Sequence, residues 1–103
     1  MDLGLKDKVI IVTGGSKGIG YGITKSLYEG GAIPVIVSRN KESVDNVVKE
    51  IKGKGAKVFS VLAELTDPDQ CKNAVNEVIE KFGRIDGVVN NAGVNDGVGL
   101  EKG

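Results

Sequence analysis

A short β-branched run that ends in a cluster of glycines and restarts as a helix constrains this chain more than any other feature. Val9-Ile10-Ile11-Val12-Thr13 is apolar without alternation, which is how a parallel strand covered on both faces reads. Gly14-Gly15-Ser16-Lys17-Gly18-Ile19-Gly20 breaks the run, and Ile19, Ile23 and Leu27 then recur at helical spacing until Gly30-Gly31. A second strand follows over Ile33-Pro34-Val35-Ile36-Val37-Ser38, where Pro34 is tolerable only because it stands near the start. Val44, Val47, Val48 and Ile51 give the stripe of an amphipathic helix stopped by Gly53 and Gly55, and Val58 to Leu62 is a third strand. Asp67-Pro68 supplies an N-cap and a first-turn proline for a third helix with the stripe Cys71, Ala74, Val75, Val78, Ile79 and Phe82, closed by Gly83. Ile85 to Asn90 is a fourth strand, and the tail beyond it, with Gly93, Gly97, Gly99 and Gly103, has no period.

The order β-α-β-α-β-α-β requires right-handed crossovers and a parallel sheet with helices on both faces. The fold class is therefore α/β, a Rossmann-type doubly wound sheet with an expected strand order of 3-2-1-4. At 103 residues there is room for one small domain. A compact chain of this length buries about 65% of its unfolded surface, enough to fold alone if every element finds a partner. The alternation halts at a fourth strand and a glycine-rich loop, which leaves one sheet edge and part of the helical cover missing. Residues 1–103 are therefore expected to be a partial dinucleotide-binding domain without its C-terminal half.

Composition excludes several functions. Fourteen basic and fourteen acidic side chains cancel, so no electrostatic footprint for nucleic acid or an anionic membrane is expected. No apolar window approaches the roughly 18 residues of a membrane span, and the first residues lack the pattern of a secretory signal, so a cytoplasmic location is expected. A single cysteine forbids an internal disulfide, and the lack of histidine removes zinc chemistry and Ser-His-Asp triads. Sixteen glycines, more than twice the average usage of about 7%, say instead that backbone must approach something closely.

The first candidate is the glycine turn. Gly14, Gly18 and Gly20 follow a buried strand and open a helix, the arrangement by which a dinucleotide pyrophosphate reaches backbone N–H groups at the positive end of the helix. At the end of the second strand an acid would bond a free ribose 2′-hydroxyl, whereas a basic residue favours a 2′-phosphate. This chain has Ser38 and Arg39 there, with Lys17 as a second cation in the turn, so NADP is expected over NAD. Tyr21 and Lys25 match a Tyr-x-x-x-Lys spacing, but they stand on the first helix directly after the phosphate turn and read as a solvent-facing pair without a catalytic role. Cys71 falls on an apolar stripe and reads as packing.

Thr13-Gly14-Gly15-Ser16-Lys17-Gly18-Ile19-Gly20 and Asn90-Asn91-Ala92-Gly93, at this separation, resemble the classical short-chain dehydrogenases/reductases over the whole chain. The resemblance implies that Gly14, Ser16, Lys17, Gly18, Ile19 and Gly20 cradle the pyrophosphate. It further implies that Asn90, Asn91, Ala92 and Gly93 support the sheet and contact the cofactor ribose, and that Glu64 and Leu65 flank the adenine. Most members carry Asp at the place of Glu64. Ala32 to Val35, Glu64-Leu65 through Gln70-Cys71, and Asn91 to Leu100 further resemble the L-fucose dehydrogenase branch. That implies a small sugar substrate oxidised at its anomeric carbon, with Asn95 and Asp96 placed to bond a polyol; the same Asn-Asp-Gly also reads as a plain turn. The family's serine and its Tyr-x-x-x-Lys pair come from the second half of the fold, so no catalytic residue is expected in this chain, and the complete protein is expected to be a homo-oligomer, usually a tetramer. Two other readings stand beside this one: a non-catalytic nucleotide-binding or regulatory module, and an inactive truncated product.

Overall fold

The computed structural model describes residues 4–14 and 16–91. Val9–Thr13 form β1, and the chain continues as α1 (Gly18–Glu29), β2 (Ile33–Ser38), α2 (Lys41–Gly53), β3 (Phe59–Leu62), α3 (Pro68–Phe82) and β4 (Gly87–Asn90). All strand pairs are parallel and the order is β3-β2-β1-β4, as the alternation requires. Val9 pairs with Ile33 and Thr13 with Val37, while on the other side Ile10 pairs with Gly87 and Thr13 with Asn90.

The unalternated apolar runs are explained by two cores. Val9, Ile11, Ile33, Val35, Val37 and Val61 project to one face and pack on Ala74 and Val78 of α3, with Phe59 and Phe82 meeting edge to face at 5.6 Å. Ile36 projects to the other face and packs on Val44, Val47 and Ile51 of α2, with Tyr21 and Tyr28 of α1 closing the cluster. Helices therefore cover both faces, which is why β1 and β2 are apolar at nearly every position.

Two strand starts differ from the sequence reading by one or two residues. β3 begins at Phe59, not Val58. The N–H of Ile33 bonds the Lys8 carbonyl on the β1 side, so by alternation the imino nitrogen of Pro34 faces β3; with no donor there, the ladder opens only at Val35 and Phe59. Pro34 is fully buried in β2 on these terms. β4 begins at Gly87, not Ile85, because the Asp86 carboxylate accepts the Val9 N–H at 2.8 Å while the Asp86 N–H reaches the Val9 carbonyl at 2.8 Å.

The first helix differs more. Its buried residues are Gly20 and Thr24; Ile23 and Leu27 are half-buried and Ile19 is 61% exposed. A Cβ on Gly20 would lie 2.1 Å from the Gly14 carbonyl oxygen, so the helix approaches the strand turn too closely for any side chain. In α3 the expected stripe divides: Ala74 and Val78 are buried, Cys71 and Phe82 half-buried, Val75 and Ile79 exposed. Tyr21 is not part of a solvent-facing pair. Its ring is half-buried against the α2 cluster, and its hydroxyl donates to Glu50 at 2.5 Å, a bond that raises its pKa. Lys25 is exposed.

Candidate functional site

Parallel pairing brings the carboxyl ends of all four strands to one edge, so that Gly14, Arg39, Glu64 and Asn91 stand at the same end of the sheet. The glycine turn is held there on two sides. Gly14, in the left-handed region at φ 66°, donates its N–H to the Val37 carbonyl at 2.9 Å. On the other side, Thr13 Oγ1 accepts the Asn91 N–H at 2.9 Å and lies 3.1 Å from Asn90 Oδ1, while Asn91 Nδ2 donates to the Gly14 carbonyl at 3.5 Å. Asn91 is buried, so these bonds satisfy polar groups that would otherwise carry a desolvation cost. The two sequence motifs thus meet through Thr13, whose bridging role has no signature in the sequence.

Beyond the turn, α1 opens at Gly18, whose φ is 53°, directly after Lys17 in extended backbone. Among the described residues no side chain caps this terminus, and its first turn holds no acid. The other helices differ. Asn40 caps α2 by accepting the Ser43 N–H and Asp67 caps α3 by accepting the N–H groups of Asp69 and Gln70, each with an acid in the first turn. The orphan donors and positive dipole end of α1 are therefore free of a side-chain acceptor, the electrostatic form of an anion site. Ser16 is buried and its hydroxyl meets Ser43 Oγ at 3.0 Å, tying the turn to the start of α2. The Asn40-x-x-Ser43 spacing was a readable capping signal; the contact of Ser43 with Ser16 was not.

At the neighbouring strand ends, Ser38 Oγ accepts the Asn40 N–H at 3.3 Å, and the Ala63 N–H donates to the Ser38 carbonyl at 3.0 Å. This places Arg39 beside Glu64, and the guanidinium donates to Glu64 Oε1 at 3.0 Å. The arginine side chain is 78% exposed, so it is accessible but not unpaired. The same contact, helped by the Thr66 N–H, holds the Glu64 carboxyl below its ordinary range. Leu65 is half-buried against the α3-side core, and its carbonyl accepts the Cys71 thiol at 3.4 Å, which agrees with a packing role for that cysteine. Ala92, Gly93, Asn95 and Asp96 lie outside the described residues. A cavity of about 530 Å³ lined by Lys6, Tyr28, Glu29 and Lys57 lies at the opposite end of the sheet and touches none of these groups. Among the described residues no group of histidines, cysteines or acids could hold a metal, and no helix is long and apolar enough to cross a membrane.

A parallel sheet of order 3-2-1-4 with an uncapped glycine-rich helix start at its carboxyl edge defines a dinucleotide-fold protein. The chain belongs to the short chain dehydrogenase family, whose pattern matches residues 8–102. It is 41% identical over 90 residues to 3-oxoacyl-[acyl-carrier-protein] reductase FabG of Thermotoga maritima, covering 87% of this chain and 37% of that protein. It is 40% identical over 88 residues to tropinone reductase-like 3 of Erythroxylum coca, covering 85% and 34%. Among solved structures, L-sorbose reductase from Gluconobacter frateurii complexed with NADPH and L-sorbose superposes with a TM-score of 0.84 at 34% identity, covering 89% of this chain and 35% of that one. The chain thus spans little more than a third of the length of these relatives. Members of the family bind nicotinamide cofactors.

Proposed function

We propose that residues 1–103 are the cofactor-binding part of an NADP-preferring dehydrogenase/reductase, whose complete form exchanges a hydride with a hydroxyl or carbonyl carbon of a small polyhydroxylated substrate. The observation that carries this reading is the start of α1, with left-handed Gly14 and Gly18 beside it and, among the described residues, no side-chain acceptor on its first N–H groups. A diphosphate supplies the acceptors those donors lack, and glycines at 14 and 18 let it approach. When bound, the nicotinamide group supplies the hydride chemistry; the residues of this chain bind and orient it.

In this reading Gly14, Ser16, Lys17, Gly18, Ile19 and Gly20 form the diphosphate cradle, and Arg39 beside Ser38 receives the 2′-phosphate. Exposure of the guanidinium supports that role, and its partner Glu64 is exposed enough for the pair to open without a large desolvation cost. Glu64 and Leu65 border the adenine, and Asn90 to Gly93 support the sheet and contact the cofactor ribose. We assign no catalytic residue within this chain: the Tyr21 hydroxyl is engaged with Glu50 and its ring packs against the α2-side cluster. An aldose such as L-fucose fits the sequence resemblance around Asn91 to Leu100, and the structural neighbour in complex with L-sorbose shows that a protein of this fold takes a sugar.

Thermal unfolding followed by circular dichroism, with NADP, NAD or neither, tests the reading. A cofactor at about 100 times its Kd adds about 2.7 kcal/mol, and NADP is expected to raise the transition more than NAD. A larger shift with NAD overturns the 2′-phosphate assignment, and no shift with either overturns nucleotide binding. With the complete protein saturated by NADP, L-fucose is expected to raise the transition again; an unchanged transition removes the aldose.

A further inference from the structure

We infer that Glu64 is a specificity-determining residue that restrains the preference for NADP by holding Arg39. The inference rests on the nucleotide-binding reading above and concerns a side chain that does not itself belong to the 2′-phosphate pocket as read from the end of β2. The two ways of reading a ribose 2′ position are a carboxylate for the hydroxyl and an arginine for the phosphate. Strand β2 ends in Ser38-Arg39 and supplies no acid. The acid comes from the segment that follows the neighbouring strand, β3. Ser38 pairs with Leu62 in the ladder and the Ala63 N–H bonds the Ser38 carbonyl, so Glu64 follows one residue past the position level with Arg39, within reach of its guanidinium.

The Glu64 backbone is held in place from behind. The Glu64 N–H donates to Gln70 Oε1 at 2.7 Å, and Gln70 Nε2 donates to Asp67 Oδ2 at 3.2 Å, which anchors the residue to the cap of α3. Its Oε2 lies 3.5 Å from the Thr66 N–H, while Oε1 takes the Arg39 guanidinium at 3.0 Å. A 2′-phosphate arriving on Arg39 must displace that oxygen and remain beside a negative charge, whereas a 2′-hydroxyl meets a carboxylate able to accept its hydrogen bond. Both costs fall on NADP and neither on NAD. The chain therefore binds NADP through Arg39 with a preference that Glu64 keeps modest.

The test measures NADP and NAD affinities by calorimetry for the unaltered chain, Glu64→Gln, Glu64→Asp, Arg39→Gln and the double variant Arg39→Gln/Glu64→Gln. Glu64→Gln keeps the shape and removes the charge, and is expected to tighten NADP about two- to fivefold and to weaken NAD. Glu64→Asp withdraws the carboxylate by one methylene and is expected to fall between the two. In the Arg39→Gln background the gain from Glu64→Gln is expected to vanish, a coupling that a merely structural role would not produce. An NADP-to-NAD ratio unmoved by Glu64→Gln, or moved equally with and without Arg39, overturns the inference. If Arg39→Gln abolishes the preference while Glu64→Gln leaves it intact, only the inference falls; if the unaltered chain binds neither nucleotide, the nucleotide-binding reading falls with it.

Discussion

Gly20 shows how much of the site depends on a side chain that is missing. A methyl group there would stand 2.1 Å from the Gly14 oxygen and 2.6 Å from Asn91 Nδ2, so Gly20→Ala must push the helix from the strand turn and break the contact between the two motifs. We expect a loss of about 2–3 kcal/mol in urea unfolding, together with loss of any cofactor-dependent rise in the thermal transition. A variant as stable as the parent would show that the turn yields cheaply. At this scale the sequence was informative about glycine, because a motif in its strand-to-helix context states which residues must lack a Cβ. It was silent about Thr13 and Ser43, since a hydroxyl gains a role only when another segment arrives beside it, and Asn91 and Ser16 are distant along the chain. For Arg39 it supplied the charge and the position but not the partner that occupies it.

Among the elements, α3 follows its sequence signals most closely. Asp67 accepts two backbone N–H groups of the first turn, Pro68 follows, and Gly83 closes the helix in the left-handed region at φ 76°. Asp67→Ala should lower stability by about 1 kcal/mol, read as a shift of the urea midpoint with an unchanged slope. Asp67→Asn, which keeps the acceptor, should recover most of it. These local signals were legible because capping is settled within four residues of sequence. The apolar stripes were less reliable, since periodicity identifies a helix but not which side of it another element covers. Thus Ile19, Val75 and Ile79 lie on helices as expected and yet are exposed, while Gly20 and Thr24 make the buried contact of α1. The starts of β3 and β4 were displaced for a similar reason: a missing imino donor on Pro34 and a carboxylate on Asp86 act across the sheet, not along the strand.

Across the whole molecule, the acid response depends on side chains that join separate segments. Asp86 is held below its ordinary range first by its hydrogen bond to Arg84 and then by the Val9 N–H, and Glu64 first by Arg39. A carboxyl whose folded pKa is depressed contributes fully above its unfolded value and loses that contribution as the pH falls through the folded one. Stability should therefore be level from about pH 7 to about pH 5 and decline below about pH 4. In Asp86→Asn the chain should start less stable and decline less steeply over the same range, as measured by urea midpoints. An acid limb of unchanged steepness would show that the link from β4 to β1 does not contribute to it. The β4 side also carries Val88, 61% exposed, which borders an apolar hollow with Ile11 of β1 and Cys71, Ala74 and Val75 of α3.

By itself the sequence determined the alternation of strands and helices, the parallel sheet, its strand order, and the glycine turn at the head of the first helix. Each follows from periodicity, chirality or the lack of a Cβ, which are properties of short segments and of the connections between them. Only the tertiary structure decided what meets at the sheet's carboxyl edge: Thr13 bridging to Asn91, Ser16 to Ser43, and Arg39 to Glu64. Those contacts join residues from different strand ends, and their partners are chosen by sheet register and by the close approach of α1. No local pattern encodes either, because both result from packing every element at once.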